Sequence, residues 1–411
     1  MNLKISILRL TLLSMAIKAC TAMAQQIDYT QPYLQFDQPE VWQPYVGATY
    51  AYDSNLFRTP TLLQQNGQPT SDTSWTRTGG LGFDKTYSRQ HISANVDVTK
   101  ATFDRFSFID YDGKDATLNW GWGITNDFSG NIGTIYSESL TPFTQFHTVE
   151  RNLRKQKTNS FDGVWRMTPN WRVHASTTDY QLKYELVTEQ YGNRDVHTAV
   201  TGLDYVSDAG NTLGFFLQRE HGEFPNQQLI GQQFYNNNYV QDSLKLNLDW
   251  TLSGHTHIQA TLGKARRSYD QYPVRDVTGP TAHVTVSYQA TGKSALSMSA
   301  WRDINATDNL SVNYAVDKGI SAAATWDALP KIRIQASLKH ESYDYSGSSA
   351  FTAQLPQNRI DTMTNASLSA VYTPFRKVQF SIVFYSDRLK SSIELYDYRD
   401  RGFVLNARAA F

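Results

Sequence analysis

Only one cysteine, Cys20, occurs in 411 residues, and it lies in an amino-terminal segment that reads as a cleavable leader, so disulfides and thiolate metal sites are excluded from the expected mature chain. No stretch approaches the roughly 18 to 20 apolar residues that a spanning helix needs. Charge of one sign is also missing. Basic and acidic residues balance at 38 each, so no net field draws nucleic acid or marks an acidic substrate. The chain contains no G-x-S-x-G elbow, no H-E-x-x-H helix and no phosphate-binding glycine loop. It is therefore not read as an enzyme, and no cofactor or catalytic residue is assigned. His255 and His257 share one face of a strand, a possible metal half-site, but beside a turn they read first as a polar strand start.

Aromatic side chains are abundant. Tyr, Phe and Trp number 24, 20 and 9, while hydrophobic residues make up only 40% of the chain and mean hydropathy is −0.48. High aromatic content with low hydropathy suits a transmembrane β-barrel, whose inner face is polar and whose lipid face carries aromatic girdles at both interfaces. The alternation is explicit. Leu244, Leu246, Leu248 and Trp250 oppose Lys245, Asn247 and Asp249; Ile332, Ile334, Ala336 and Leu338 oppose Arg333, Gln335, Ser337 and Lys339. Leu118, Trp120, Trp122 and Ile124 oppose Asn119, Gly121 and Gly123, and Val378, Phe380, Ile382 and Phe384 oppose Gln379 and Ser381. Period two places one set toward lipid and the other toward water.

Short turn signals fall at Ser88-Arg89-Gln90, Asp127-Phe128-Ser129-Gly130, Thr168-Pro169-Asn170, Asp208-Ala209-Gly210-Asn211, Ser253-Gly254, Thr291-Gly292-Lys293, Leu329-Pro330-Lys331 and Thr373-Pro374-Phe375. Longer polar connections fall near residues 53–74, 104–113, 140–156, 185–194, 222–236, 270–274, 303–309, 346–360 and 391–398. These turns and loops join about 18 strands, with 16 as the nearest alternative, and put both termini on the periplasmic side. The predicted fold is all-β: a transmembrane antiparallel up-and-down β-barrel with short periplasmic turns and longer extracellular loops, wide enough for an aqueous channel.

The ends carry an address. Lys4 and Arg9 precede an apolar core at residues 10–17, and Ala22-Met23-Ala24 is a small-residue cleavage site. Residues 1–24 are read as a signal peptide, 25–42 as a periplasmic lead and 43–411 as the barrel. A lipoprotein anchor at Cys20 is disfavoured by Lys18. At the other end Phe403, Leu405, Ala407, Ala409 and Phe411 alternate with Val404, Asn406, Arg408 and Ala410. A terminal amphipathic strand that closes on an aromatic residue resembles the signal recognised by the barrel assembly machinery of the bacterial outer membrane.

The strand that opens the barrel ends in Tyr52-Asp53-Ser54-Asn55-Leu56-Phe57-Arg58. This segment resembles the first strand of β-barrel porins encoded with exopolysaccharide and exosortase loci, the family described as exopolysaccharide-biosynthesis outer-membrane transporters. The resemblance implies an outer-membrane conduit for extracellular polysaccharide, served by periplasmic or inner-membrane synthesis and export proteins. It carries over no catalytic residues. Physically, Asp53, Ser54 and Asn55 can bond their own backbone and turn the chain out of the strand, leaving Arg58 to reach a carboxylate or a lipopolysaccharide phosphate.

Parity with the apolar faces nominates Lys245, Asp249, Arg333, Lys339, Glu341 and Arg408 as pore-lining. They form either a charged constriction or cross-strand pairs that stiffen the wall. Tyr-Asp recurs at Tyr52-Asp53, Tyr111-Asp112, Tyr269-Asp270, Tyr343-Asp344 and Tyr396-Asp397, each where a strand meets a loop. With Asn55 and Arg58 these pairs form the expected extracellular rim, either a girdle with solvated acids or a ring on which sugars stack. Which partner faces inward is open in the sequence. Arg151, Arg154, Lys155 and Lys157 read as one basic outer loop facing lipopolysaccharide or an anionic polymer. The expected function is passive export of an exopolysaccharide through the outer membrane. The alternatives are a general or sugar-selective diffusion porin, a barrel enzyme acting on lipid or polymer, and a plugged surface barrel that binds polymer. The expected partners are outer-membrane lipid and lipopolysaccharide and the polysaccharide substrate, not nucleic acid.

Overall fold

The computed structural model describes residues 41–144, 149–230, 233–271, 273–305, 314–346 and 359–411. The expected leader and nearly all of the expected lead lie outside the described residues. Strands follow one another along the chain: β1 (Trp42–Asp53), β2 (Asp72–Tyr87), β3 (Gln90–Phe103), β4 (Tyr111–Gly123), β5 (Phe128–Leu140), β6 (Leu153–Arg166) and β7 (Trp171–Tyr184). Next come β8 (Arg194–Val206), β9 (Thr212–Glu223), the short β10 (Gln228–Ile230) and β11 (Gln233–Tyr235), β12 (Tyr239–Ser253) and β13 (Thr256–Tyr269). The chain ends with β14 (Val277–Thr291), β15 (Ser294–Asn305), β16 (Tyr314–Leu329), β17 (Ile332–Ser346), β18 (Arg359–Phe375), β19 (Val378–Ser391) and β20 (Tyr398–Ala410).

All but the β10–β11 hairpin belong to one 18-stranded sheet. Each strand pairs antiparallel with its neighbour in sequence, and β9 passes to β12 across the hairpin. β20 returns to β1, with Tyr45 opposite Ala410 and Asp53 opposite Gly402. Closure removes the open edges that a flat sheet would leave unpaired. The strand number and the up-and-down order expected from the sequence are those observed.

Register shows why this sequence closes. Directly opposite residues share a face, so Val46–Ala409, Ala48–Ala407, Tyr50–Leu405 and Tyr52–Phe403 form one apolar outer patch across the seam. The residues between them, Gly47–Arg408 and Thr49–Asn406, share the inner face. The same sorting runs around the wall: Leu244, Leu246, Trp250, Leu338, Phe380 and Phe384 stand exposed on the outside. Burying each such side chain contributes roughly 1.5–3 kcal/mol. An apolar band that encircles the barrel finds that burial in lipid.

The two ends of the outer face differ. At the short-turn end Trp42, Trp120, Trp165, Trp171, Trp250 and Trp326 stand exposed as an aromatic belt. At the loop end rings gather at the seam, where Tyr50 lies 5.1 Å from Trp75 and 6.1 Å from Phe403, and Tyr136 holds an outer position on β5 opposite Lys157. Elsewhere the loop-end outer positions are charged, with Arg77 opposite Lys100, Lys155 opposite Lys183 and Arg302 opposite Lys318.

Several boundaries differ from the sequence reading. β1 opens at Trp42, one residue before the expected start. Phe128, Ser129 and Gly130 belong to β5, so that turn lies earlier, and Thr373, Pro374 and Phe375 remain in β18, so that turn falls at Arg376 and Lys377. Arg154, Lys155 and Lys157 are not loop residues. They lie in β6, which begins at Leu153. Their polar composition suggests a loop, but the ladders to both neighbouring strands satisfy their backbone groups and carry them into the wall.

Candidate functional site

The inner face holds several clusters of charge and aromatic rings, most of them toward the loop end. The first is the seam. Asp53 ends β1 facing inward opposite Asp72, and Asp400 lies inward on β20 opposite Asp387. Like charges directly opposite one another are destabilising, so each acid needs a donor. Arg58 supplies two of them, with Nη1 at 2.8 Å from Asp53 and Nη2 at 3.0 Å from Asp400. Tyr385 donates to Asp53 at 3.2 Å, the Ser54 hydroxyl donates to Asp400 at 3.0 Å, and Asn365 donates to Asp387 at 2.7 Å. Asn55 turns the chain back on itself, its side chain donating to the carbonyls of Thr59 and Arg399 and accepting from the Thr59 N–H.

Arg58 takes a left-handed backbone conformation, φ +53°, which costs a residue with a β-carbon roughly 1 kcal/mol. Burial works against its charge, but Asp53 and Asp400 outweigh that and hold the guanidinium above its ordinary value. Of the two partners foreseen for Arg58, a carboxylate and a lipid phosphate, the geometry gives it carboxylates. The heptapeptide thus latches the first strand to the last. Within it Phe57 packs with Ile109 and Phe143, which come from two other loops.

Four further aromatic–acid pairs line the inner face. Tyr45 donates to Asp97 at 3.0 Å, and Arg408 lies 3.7 Å above the Tyr45 ring. Tyr239 donates to Glu220 at 2.7 Å beneath Arg267, whose guanidinium is 4.2 Å from that ring. Trp301 donates to Asp317 at 3.1 Å, and Lys339 is 5.7 Å from the same indole while bonding Glu341 at 2.7 Å. Tyr343 hydrogen-bonds Glu341. Small residues make room for the rings: a β-carbon on Gly80 would overlap Tyr45, and one on Gly319 would overlap Trp301.

The six residues nominated from parity all share the inner face but do not meet in one constriction. Lys339, Glu341 and Arg408 join the clusters above. Lys245 bonds Gln218 at 2.8 Å along the β9–β12 wall. Asp249 and Arg333 lie at the turn end, where Asp249 takes His257 at 2.8 Å and Arg333 takes Asp327 at 2.6 Å. His255 sits in the adjacent turn, and no cluster of His, Cys, Asp and Glu suited to a metal occurs among the described residues.

The Tyr-Asp pairs sit at the loop end but do not share one orientation. Tyr52 faces out and Asp53 in, whereas Tyr111 and Tyr343 take inner positions and Asp112 and Asp344 outer ones. Tyr269 is buried inward with Arg275 at 4.2 Å from its ring, and Asp270 follows the strand end. Tyr396 and Asp397 belong to the β19–β20 connection, where Asp397 accepts the Ser391 N–H at 2.6 Å and Arg359 lies 4.0 Å from the Tyr396 ring. A ring of identical pairs is therefore corrected to a set of individually placed ones, because strand ends fall at different parities. In the expected basic loop only Arg151 remains, paired with Glu185 at 3.3 Å, while Lys155 bonds Glu138 at 3.4 Å on the outer wall. Tyr45, Asp97, Glu220, Trp301, Asp317 and Asp400 were not foreseen. Counting by twos from Arg408 reaches Asp400, so parity carried that signal.

Residues 245–411 match the family model described as "Putative beta-barrel porin 2". Among solved structures, a BenF-like porin from Pseudomonas fluorescens Pf-5 aligns over 90% of this chain and 99% of its own, with TM-score 0.51 and 9% identity. The outer membrane protein OpdK of Pseudomonas aeruginosa covers 90% and 99% at TM-score 0.49 and 11% identity. OccAB4 of Acinetobacter baumannii covers 91% and 99% at TM-score 0.49 and 10% identity. The chain has the closed 18-stranded β-barrel fold of outer-membrane porins. At these identities the likeness is one of fold. No curated protein matches the sequence.

Proposed function

We propose that this barrel is a diffusion channel for small polar solutes, selective for carbohydrates, that does no chemistry of its own. The supporting observation is the inner face itself, where the half-buried Trp301 indole stands beside Asp317, Lys339 and Glu341, while the Tyr45 and Tyr239 rings are buried beneath Arg408 and Arg267 and stiffen the wall. Sugar rings present an apolar face and a rim of hydroxyls, which an aromatic plane beside hydrogen-bonding groups complements. The packing of Phe57, Ile109 and Phe143 from three loops also favours a fenced mouth over an open one. The long loops face outward from the cell in this reading, as in bacterial barrels.

Export of an exopolysaccharide is the second reading, and it rests on the resemblance of residues 52–58. The latch formed by that segment accounts for its residues structurally and leaves the polymer without a dedicated contact there. Proteoliposomes separate the two readings. Swelling in mono- and disaccharides, with exclusion of long glycans, is expected. Passage of long glycans, together with polymer retained in the periplasm of a strain lacking the protein, would replace the diffusion reading with export.

A further inference from the structure

We propose that the outer face of β19 and β20, at the loop-end margin of the apolar band, docks a phosphorylated glycolipid of the outer leaflet. Arg388 lies directly opposite Arg399, with Lys390 and Arg401 on the same outward rows. All four side chains are exposed. Two arginines held opposite one another repel, and no ion pair joins any of the four to an acid among the described residues. Their outward cross-strand neighbours Thr364, Thr362 and Ser386 are uncharged. Asp387 and Asp400 alternate with these cations but point inward, engaged by Asn365 and Arg58. On the β19–β20 connection Glu394 is exposed and makes no ion pair with these cations.

The same face turns apolar one step toward the turn end. Phe384 lies 6.4 Å from Phe403, Phe403 stacks on Tyr52 at 5.9 Å, and Leu405 is opposite Ile382. A shelf of rings beneath unpaired cations matches an amphiphile whose chains lie along the wall and whose anionic head sits above them. Guanidinium groups suit phosphate because they offer paired, planar donors. The site lies at the edge of the lipid band, so its occupant is a membrane lipid, and this proposal is independent of what passes through the lumen.

The test uses the purified full-length barrel in neutral detergent, with bis-phosphorylated lipid A as probe and the same lipid stripped of phosphate as control. Lipid retained per barrel is counted by native mass spectrometry. Wild type is expected to retain the phosphorylated lipid and not the stripped one, with millimolar inorganic phosphate unable to displace it. Each cation near an anionic surface contributes about fivefold, so R388Q/K390Q/R399Q/R401Q should weaken retention by roughly 600-fold. R388K/R399K, which keeps the charge but loses the paired planar donors, should retain less lipid than wild type and more than the quadruple variant. Equal retention of both lipids by wild type, unchanged retention in the quadruple variant, or displacement by inorganic phosphate alone would overturn the proposal. Heat-dependent gel mobility reports folding, and should the quadruple variant fail to fold, the wild-type comparison of the two lipids still decides.

Discussion

Replacing Arg58 with alanine should unlatch the barrel seam. The guanidinium is almost wholly buried, holds Asp53 at 2.8 Å and Asp400 at 3.0 Å, and donates to the carbonyl of Asn55 at 2.6 Å. Its removal leaves two inward carboxylates without their shared cation, and breaking one side of a buried charge network costs about 3–5 kcal/mol. Because the Arg58 charge is favoured in the folded state, with its affinity for the proton raised, its contribution is fully present at neutral pH and is lost only far into the alkaline range. Arg58→Gly loses the same ion pairs but relieves the left-handed strain, and should unfold roughly 1 kcal/mol later than alanine. Urea unfolding in detergent micelles, followed by tryptophan fluorescence, measures all three. Adding Asp400→Asn to Arg58→Ala should recover part of the loss. The reasoning fails if Arg58→Ala unfolds within about 1 kcal/mol of wild type, since surface ion pairs are worth no more than that, or if the double variant is less stable than the single one.

Other expectations follow from the inner and outer faces. Gly80→Ala should cost about 1–3 kcal/mol, because its β-carbon displaces the Tyr45 ring, whereas Gly79→Ala meets open space and should unfold like wild type in the same assay. Trp301→Ala should remove a lumen ring that Asp317 orients, and carbohydrate block of single-channel current should weaken by about tenfold, the scale of one aromatic contact; an unchanged block would place sugar elsewhere. Asp303 lies opposite Asp317 on the inner face, so Asp303→Asn with Asp317→Asn should shift the reversal potential in a salt gradient toward anions, and a shift toward cations would contradict the inward placement of that pair.

Sequence alone determined the architecture because period two is a local property. Leu244, Leu246, Leu248 and Trp250 against Lys245, Asn247 and Asp249 specify a two-faced strand wherever they fall, and repetition of that pattern between short turns and long loops carries the chain to 18 strands. The inner position of Arg408 was legible for the same reason. What the tertiary structure decided depends on register between strands far apart in the chain. Tyr52-Asp53 and Tyr343-Asp344 are the same dipeptide, yet the acid faces inward in one and outward in the other, because β1 and β17 reach their loops at opposite parities. Arg58 and Asp400 stand far apart in sequence, and only closure of β20 on β1 brings them to 3.0 Å. The cations of residues 154–157 read as a loop because their composition is polar. The ladder to β5 and β7 placed them in the wall, and backbone pairing across strands is invisible to composition.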